Sequence, residues 1–229
     1  MAVRHPRSQE GIFVRLPSSS RLKAAALDAA ARGWRVFPLA PGTDRPAVRD
    51  WELKATNDED KIITAWNHGP YNIGLVPCAS SLLVLDLIPA APGERPPLRH
   101  RSAGVNDGAD VLAVLTDRLG ARFPFDTFSV ATPDRGLALY FTHPQGRPCP
   151  QASATPDSPL GWHIAIRSSG TFVPLPGSIV TDGSYEIAHD GPARPWPAYL
   201  AKHLSGSPAS PTCLHQDTSR HEAGGVPHH

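Results

Sequence analysis

SLLVLDLIPA (Ser81–Ala90) is a short apolar run with a single acid in it. Leu82 to Leu85, and Leu87 beyond them, surround Asp86. A run of this length, closed by turn residues, reads as a buried central strand. A carboxylate at the end of such a strand loses hydration and must be paired, wetted or metal-bound. The plainer alternative is an aspartate that opens the next turn, which Pro89 marks.

Outward from this strand the chain alternates helices and strands. Upstream, Ser20 suits a helix N-cap, and Leu22, Ala25, Ala26, Ala29 and Ala30 make one apolar stripe that Gly33 closes. WRVFPLA follows as a strand, then a turn-rich loop. In KATNDEDKIITAW, Thr56 and Glu59 fit a capping box, Asp58 and Asp60 suit the first turn, and Ile62, Ile63 and Trp66 form the buried side. YNIGLV is the strand just before SLLVLDL.

Downstream, APGERPPLRHRSAGV is a long loop and NDGADVLAVLTDRLG a helix, capped by Asn106 or Asp107 and closed by Gly120. DTFSVAT and LALYFTH read as a hairpin across PDRG. A loop over 144–160 leads to GWHIAIR, TFVPLP and SYEIA as short strands, and PWPAYLAKHL is a last helix. Residues 1–17 and 205–229 lack a period and read as flexible tails around one domain over 18–204; the terminal histidines belong to the tail. The order predicts an α+β fold with a sheet built largely from hairpins.

Lys+Arg is 22 and Asp+Glu 21, so the near-neutral balance names no partner, and a nucleic-acid binder would need a local basic patch. Cys78, Cys149 and Cys213 lie far apart without a CxxC pair, which indicates neither a zinc site nor a disulfide framework. With no signal peptide and no long apolar span in view, the expectation is a soluble cytoplasmic protein without a membrane partner.

Six phrases, in order, carry a resemblance: GWRVFPLAPGTDRPA, WELKATNDEDKIITAW, YNIGLV, LLVLDL, TPDRGLALYF and IRSSGTFVPLPGS. Together they resemble the bifunctional DNA primase/polymerase (Prim-Pol) domain of the archaeo-eukaryotic primase superfamily, in the form found on bacterial plasmids, phages and actinobacterial genomes. The resemblance spans roughly Arg21 to Leu204. It implies an N-terminal α/β unit packed with an RRM-like, largely antiparallel sheet, and an active-site groove between them. The chemistry it implies is template-directed nucleotidyl transfer with magnesium or manganese. DNA and nucleoside triphosphates are the implied partners, with a separate helicase possible. No phosphate loop of the form GxxxxGK[ST] occurs in the chain.

The family chemistry needs two metals about 3.5–4 Å apart, held by two acids spaced by one residue and a third on a neighbouring strand. Strand periodicity puts the spaced pair on one face. Asp86 matches the first acid and metal ligand. Ile88 stands where the second should be, Ala165 where the third should be, and Ala138 where a phosphate-contacting histidine is expected. A lysine expected in the PG loop is replaced by Asp44, with Arg45 beside it. Arg167, the Gly170 turn and the Pro176-Gly177-Ser178 turn are retained. The implied nucleotide- or DNA-binding residues are therefore Arg167, Arg45 and Ser178.

Three functions stay open. The first is a catalytically degenerate domain kept as a DNA- or nucleotide-binding module, in which Asp86 binds metal weakly or not at all and no cofactor is needed. The second is an active enzyme with substitute acids drawn from Glu94, Asp107, Asp110, Asp134 and Asp157, each of which also suits a cap, a turn or a solvated surface. The third is a regulatory or single-strand-binding protein. For binding, the loop carrying Arg95, Arg99, His100 and Arg101 suits phosphates if it borders the groove, and is otherwise a solvated surface loop.

Overall fold

The computed structural model describes residues 18–101, 104–143, 148–150, 152 and 157–204. The two tails, Cys213 and the terminal histidines lie outside the described residues.

The N-terminal unit is a three-stranded antiparallel sheet, β1 (Val36–Leu39), β2 (Asn72–Leu75) and β9 (Val173–Pro174), with β2 central. Helix α1 (Ser19–Ala31) lays Leu22, Ala26, Ala29 and Ala30 against it, as the apolar stripe predicts. Its N-cap is Ser18 rather than Ser20. A short helix α2 (Trp51–Lys54), too brief to leave a periodic pattern, precedes α3 (Glu59–Asn67). Asp58 is the α3 cap, accepting from the Lys61 amide at 3.2 Å. Thr56 is drawn away from that role because its backbone bridges to Val36. Ile62 and Trp66 are buried, whereas Ile63 is exposed.

The large sheet is centred on β3 (Leu82–Leu87), flanked by β5 (Leu137–Thr142) and β8 (Ile164–Arg167), both antiparallel to it. Beyond β5 lie β4 (Ser129–Ala131) and β12 (Glu186–His189); beyond β8 lie β6 (Asp157–Ser158) and β7 (Gly161–Trp162). β13 (Arg194–Pro195) adds a short parallel pairing to β5, and β10 (Ile179–Val180) and β11 (Gly183–Ser184) form a separate hairpin.

GWHIAIR is thus two strands, not one. His163, between β7 and β8, sits at φ 57, a left-handed conformation costly for a residue with a Cβ. Its buried ring is fixed there by Glu94, whose Oε1 lies 2.8 Å from His163 Nε2.

Strand β3 is almost wholly apolar because both of its faces are covered. Leu83, Leu85 and Leu87 pack under α4 (Gly108–Arg118) and α5 (Ala198–Leu204), with Val111, Leu112 and Leu200. Leu82 and Val84 share the opposite core with Leu22, Trp66 and Tyr140. Each such buried leucine contributes about 1.5–3 kcal/mol relative to exposure.

Cys78, in the 3-10 turn before β3, is bonded to Cys149 in a disulfide. The spacing argument indicated no such bridge. The two residues are 71 apart in sequence, and only the fold brings them together.

Candidate functional site: a groove on the Asp86 face of the sheet

Alternation along β3 points Asp86 to the same side as Val84, towards the N-terminal unit. Register then fixes its neighbours: Ala138 on β5 and Ala165 on β8 are the direct cross-strand partners of Asp86. Three of the four positions named for family chemistry form one row across adjacent strands.

A groove of about 490 Å³ opens over Asp86 and Ala138 of this row. Asp86, Ile88, Ala138 and Arg167 lie along its sheet side. Phe172 and Val173, Val180 of β10, and Tyr185 also line it. Tyr140 lines it as well, stacked on Trp34 at 5.7 Å and edge-on to Phe128 at 5.2 Å.

The Asp86 carboxylate is held by Arg167, whose Nη2 and Nε both donate to Oδ2, at 3.0 and 3.3 Å. Burial pushes the Asp86 carboxyl above its usual range. Arg167 pulls it back in part, and the charge of Asp134 adds to the rise. Burial likewise holds the Tyr140 phenol well above its ordinary value, so it stays protonated. Its hydroxyl is buried without a hydrogen-bond partner.

Further carboxylates reach the groove on turns. Asp44 comes from the loop after β1, Asp134 from the β4–β5 turn and Asp182 from the β10–β11 turn. None of the three forms an ion pair among the described residues. Asp134 is the substitute acid that the sequence brings here. Asp182 was missed, although Thr181-Asp182-Gly183 carries an Asp-Gly hairpin signal whose tip could have been followed to the groove. Tyr140 and Tyr185 were missed too, since an aromatic residue in a strand looks like core.

The other candidates lie elsewhere. Asp107 caps α4 through the Asp110 amide, and Asp110 binds the Asn106 amide. Glu94 is committed to His163; that hydrogen bond, then one from the Ala91 amide, lowers its carboxyl below the usual value. Asp157 opens β6, beyond β8 in the large sheet.

Among the proposed binding residues, Arg167 lines the groove and Arg45 is exposed on the loop next to Asp44. Ser178 is fully buried, with its hydroxyl accepting from the Ile73 amide at 2.9 Å, so it pins a turn and is not available to a ligand. Arg99 and His100 border α4 instead of the groove, because their loop crosses to the other face of the sheet. Arg101 follows directly on the same turn.

The family model for the bifunctional DNA primase/polymerase, N-terminal, matches residues 26–199. The chain belongs to this family. No curated protein gives a significant match. The α+β architecture, with an N-terminal unit closing over a largely antiparallel sheet, is consistent with a primase–polymerase fold. In this primase–polymerase domain no helix among the described residues is long and apolar enough to cross a membrane.

The family implies bound divalent metals, and the residues present do not fit a two-metal site. Asp86 has methyl groups as its cross-strand neighbours, and its Oδ2 is taken by a guanidinium. No group of three His, Cys, Asp or Glu side chains among the described residues is placed to hold an ion.

Proposed function

We propose that this primase–polymerase-family domain binds nucleotide and DNA without joining nucleotides. The observation that carries the proposal is the row Ala138–Asp86–Ala165 with Arg167 seated on Asp86. Phosphoryl transfer of this type depends on positioning and on neutralising developing charge. Across this row one carboxylate remains, and the nearest cation already neutralises it. Ile88 extends the apolar character of the same face. Loss of one preorganised electrostatic group typically costs about 10²-fold or more in rate. Losses within one unit need not multiply, yet one is already severe.

What the groove retains is a cleft with aromatic walls from Phe172 and Tyr185 and one guanidinium. Asp44, Asp134 and Asp182 oppose entry of a bare polyphosphate. A nucleotide held here is therefore bound weakly, chiefly through its base.

A second function, nucleotidyl transfer with relocated acids, is favoured by one observation: those same three carboxylates share the groove with Asp86. A template-dependent incorporation assay with labelled nucleotides, in magnesium and in manganese, separates the two. The unaltered protein is expected to incorporate nothing, like an Asp86→Ala control. A variant carrying Ile88→Asp, Ala138→His and Ala165→Asp restores the missing groups, with its folding checked by thermal melting. Incorporation by the unaltered protein that vanishes in the Asp86→Ala control would overturn the proposal and establish the second function.

A further inference from the structure

We infer that the Asp86 groove is a binding site for a linear aliphatic polyamine, a ligand with ammonium groups at both ends of an apolar chain. The inference goes beyond the binding of nucleotide and is tested with no nucleotide present.

Four carboxylates line the groove, those of Asp44, Asp86, Asp134 and Asp182, and Arg167 offsets one of them. The other three are exposed, stand on three separate turns and form no ion pair among the described residues. Asp134 is held in place, its Oδ1 accepting from the Thr132 hydroxyl and from the Gly136 amide at 3.2 Å. Like charges gathered around one groove repel unless a cation lies among them. No three acids among the described residues are placed to chelate a compact ion, so the matching cation is one whose charge is spread along its length.

Tyr140 supplies an independent observation. Its side chain is wholly buried, lines the groove and has a hydroxyl without a hydrogen-bond partner. A buried hydroxyl left unpaired is destabilising, and a ligand donor relieves it. After burial itself, the charge of Asp86 is what most raises the Tyr140 phenol, so the hydroxyl lies within the field of that acid. Asp86 accepts from Arg167 through Oδ2, and its Oδ1 takes no donor among the described residues. The Tyr140 oxygen and Asp86 Oδ1 thus make an inner pair of acceptors for one ammonium group. Arg167 repels a cation at this end, and the three unpaired carboxylates exceed it in charge.

Between the inner acceptors and the exposed acids the walls are aromatic and rigid. Phe172 is held edge-on by Phe37 at 5.4 Å and by Trp51 at 5.1 Å. Tyr185 is pinned through its backbone, its amide donating to Ser178 O at 2.9 Å and its carbonyl accepting from the Gly177 amide at 3.0 Å. Burial, then the charges of Asp44, Asp86 and Asp134, hold the Tyr185 phenol above its ordinary value, so this ring stands among acids from both ends of the groove. Aromatic faces attract ammonium groups and cover methylenes. The order acceptor, apolar wall, acceptor matches a free chain with a cation at each end, whereas a lysine side chain carries one cation only. The volume of about 490 Å³ is in the ordinary range of small-molecule sites.

The test is calorimetric titration of the full chain with spermidine at constant ionic strength. Saturable binding of one spermidine per chain is expected, with 1-aminobutane bound roughly tenfold more weakly because it lacks the second cation. A variant carrying Asp44→Asn, Asp134→Asn and Asp182→Asn is expected to lose roughly tenfold in affinity. A charge-matched control at the exposed Glu52→Gln, Asp60→Asn and Asp117→Asn is expected to lose nothing. Tyr140→Phe removes a hydroxyl that has no partner in the protein, so it is expected to melt no lower while binding spermidine roughly tenfold more weakly. Absence of saturable binding, equal losses in the two acid variants, or unchanged affinity in Tyr140→Phe would each overturn the inference. Displacement of spermidine by magnesium at matched ionic strength would overturn it in favour of a loose counterion cloud. Tighter binding of a capped trilysine peptide of the same charge would overturn it in favour of a basic protein partner. Mononucleotide binding is measured on its own, so failure of the polyamine site and failure of nucleotide binding are read separately.

Discussion

Asp86 carries most of what a single residue can say here. Its side chain is 20% exposed and that of Arg167 is 29% exposed, so their contact is partly desolvated. Such a charge-assisted bond is worth about 2 kcal/mol. Burial outweighs the arginine, so the folded carboxyl titrates above the ordinary value of 3.8. Between those two values the folded chain binds more protons than the unfolded one. Stability contributed at this position therefore falls as pH rises through that window and is level above it. Asp86→Asn keeps an oxygen for Arg167 and removes the titration. In denaturant titrations at a series of pH values, the stability of the native protein relative to Asp86→Asn is expected to decline just above pH 3.8 and then flatten. Parallel curves would show that Asp86 has an ordinary carboxyl.

Among the elements, the junction of β3 with α4 leaves no room for a side chain at Gly108. The Ile88 amide donates to His163 O at 2.8 Å, and the Gly108 amide donates to Ile88 O at 3.1 Å. A Cβ on Gly108 would stand 2.1 Å from the carbonyl oxygen of His163 and 3.0 Å from the amide nitrogen of Ile88. Both are backbone atoms, so nothing can rotate aside. Gly108→Ala is accordingly expected to cost about 3 kcal/mol, at the upper end of overpacking effects. Alanine is the better helix former, so helix propensity alone predicts a gain. Chemical denaturation decides between them: a midpoint that rises would mean that α4 shifts freely on the sheet.

At the scale of the whole molecule, what could be read in the sequence followed the strength of the local pattern. LLVLDL announced a strand covered on both faces, and the cross-strand placing of Asp86 with Ala138 and Ala165 followed from recognising the phrases around them. The stripe of α1 was equally plain, whereas the cap of α4 was narrowed only to Asn106 or Asp107. Patterns of two residues, such as β6, β7 and β9, carry too little periodicity to bound, and α2 has only four residues. Which face the loop with Arg99 would occupy was not legible, since a loop has no alternation from which to infer direction. Ser178 looked like a ligand residue because its turn does in the family, and only burial reveals its structural task. The disulfide lay beyond reach because pairing over 71 positions leaves no local trace.

That bridge also fixes how the chain answers to force. Everything between Cys78 and Cys149, including β3, α4, β4 and β5, lies within a covalent loop that carries no tension when the ends are pulled. The loop withholds 71 residues, or about 250 Å of contour at about 3.6 Å per residue. In optical-tweezer extension the oxidised protein is expected to lengthen by that much less than the same molecule after reduction. Equal contour lengths before and after reductant would show that the bond is not formed. While it holds, the strand bearing Asp86 lies in the part of the molecule that a translocating motor, drawing on either end, cannot pull straight.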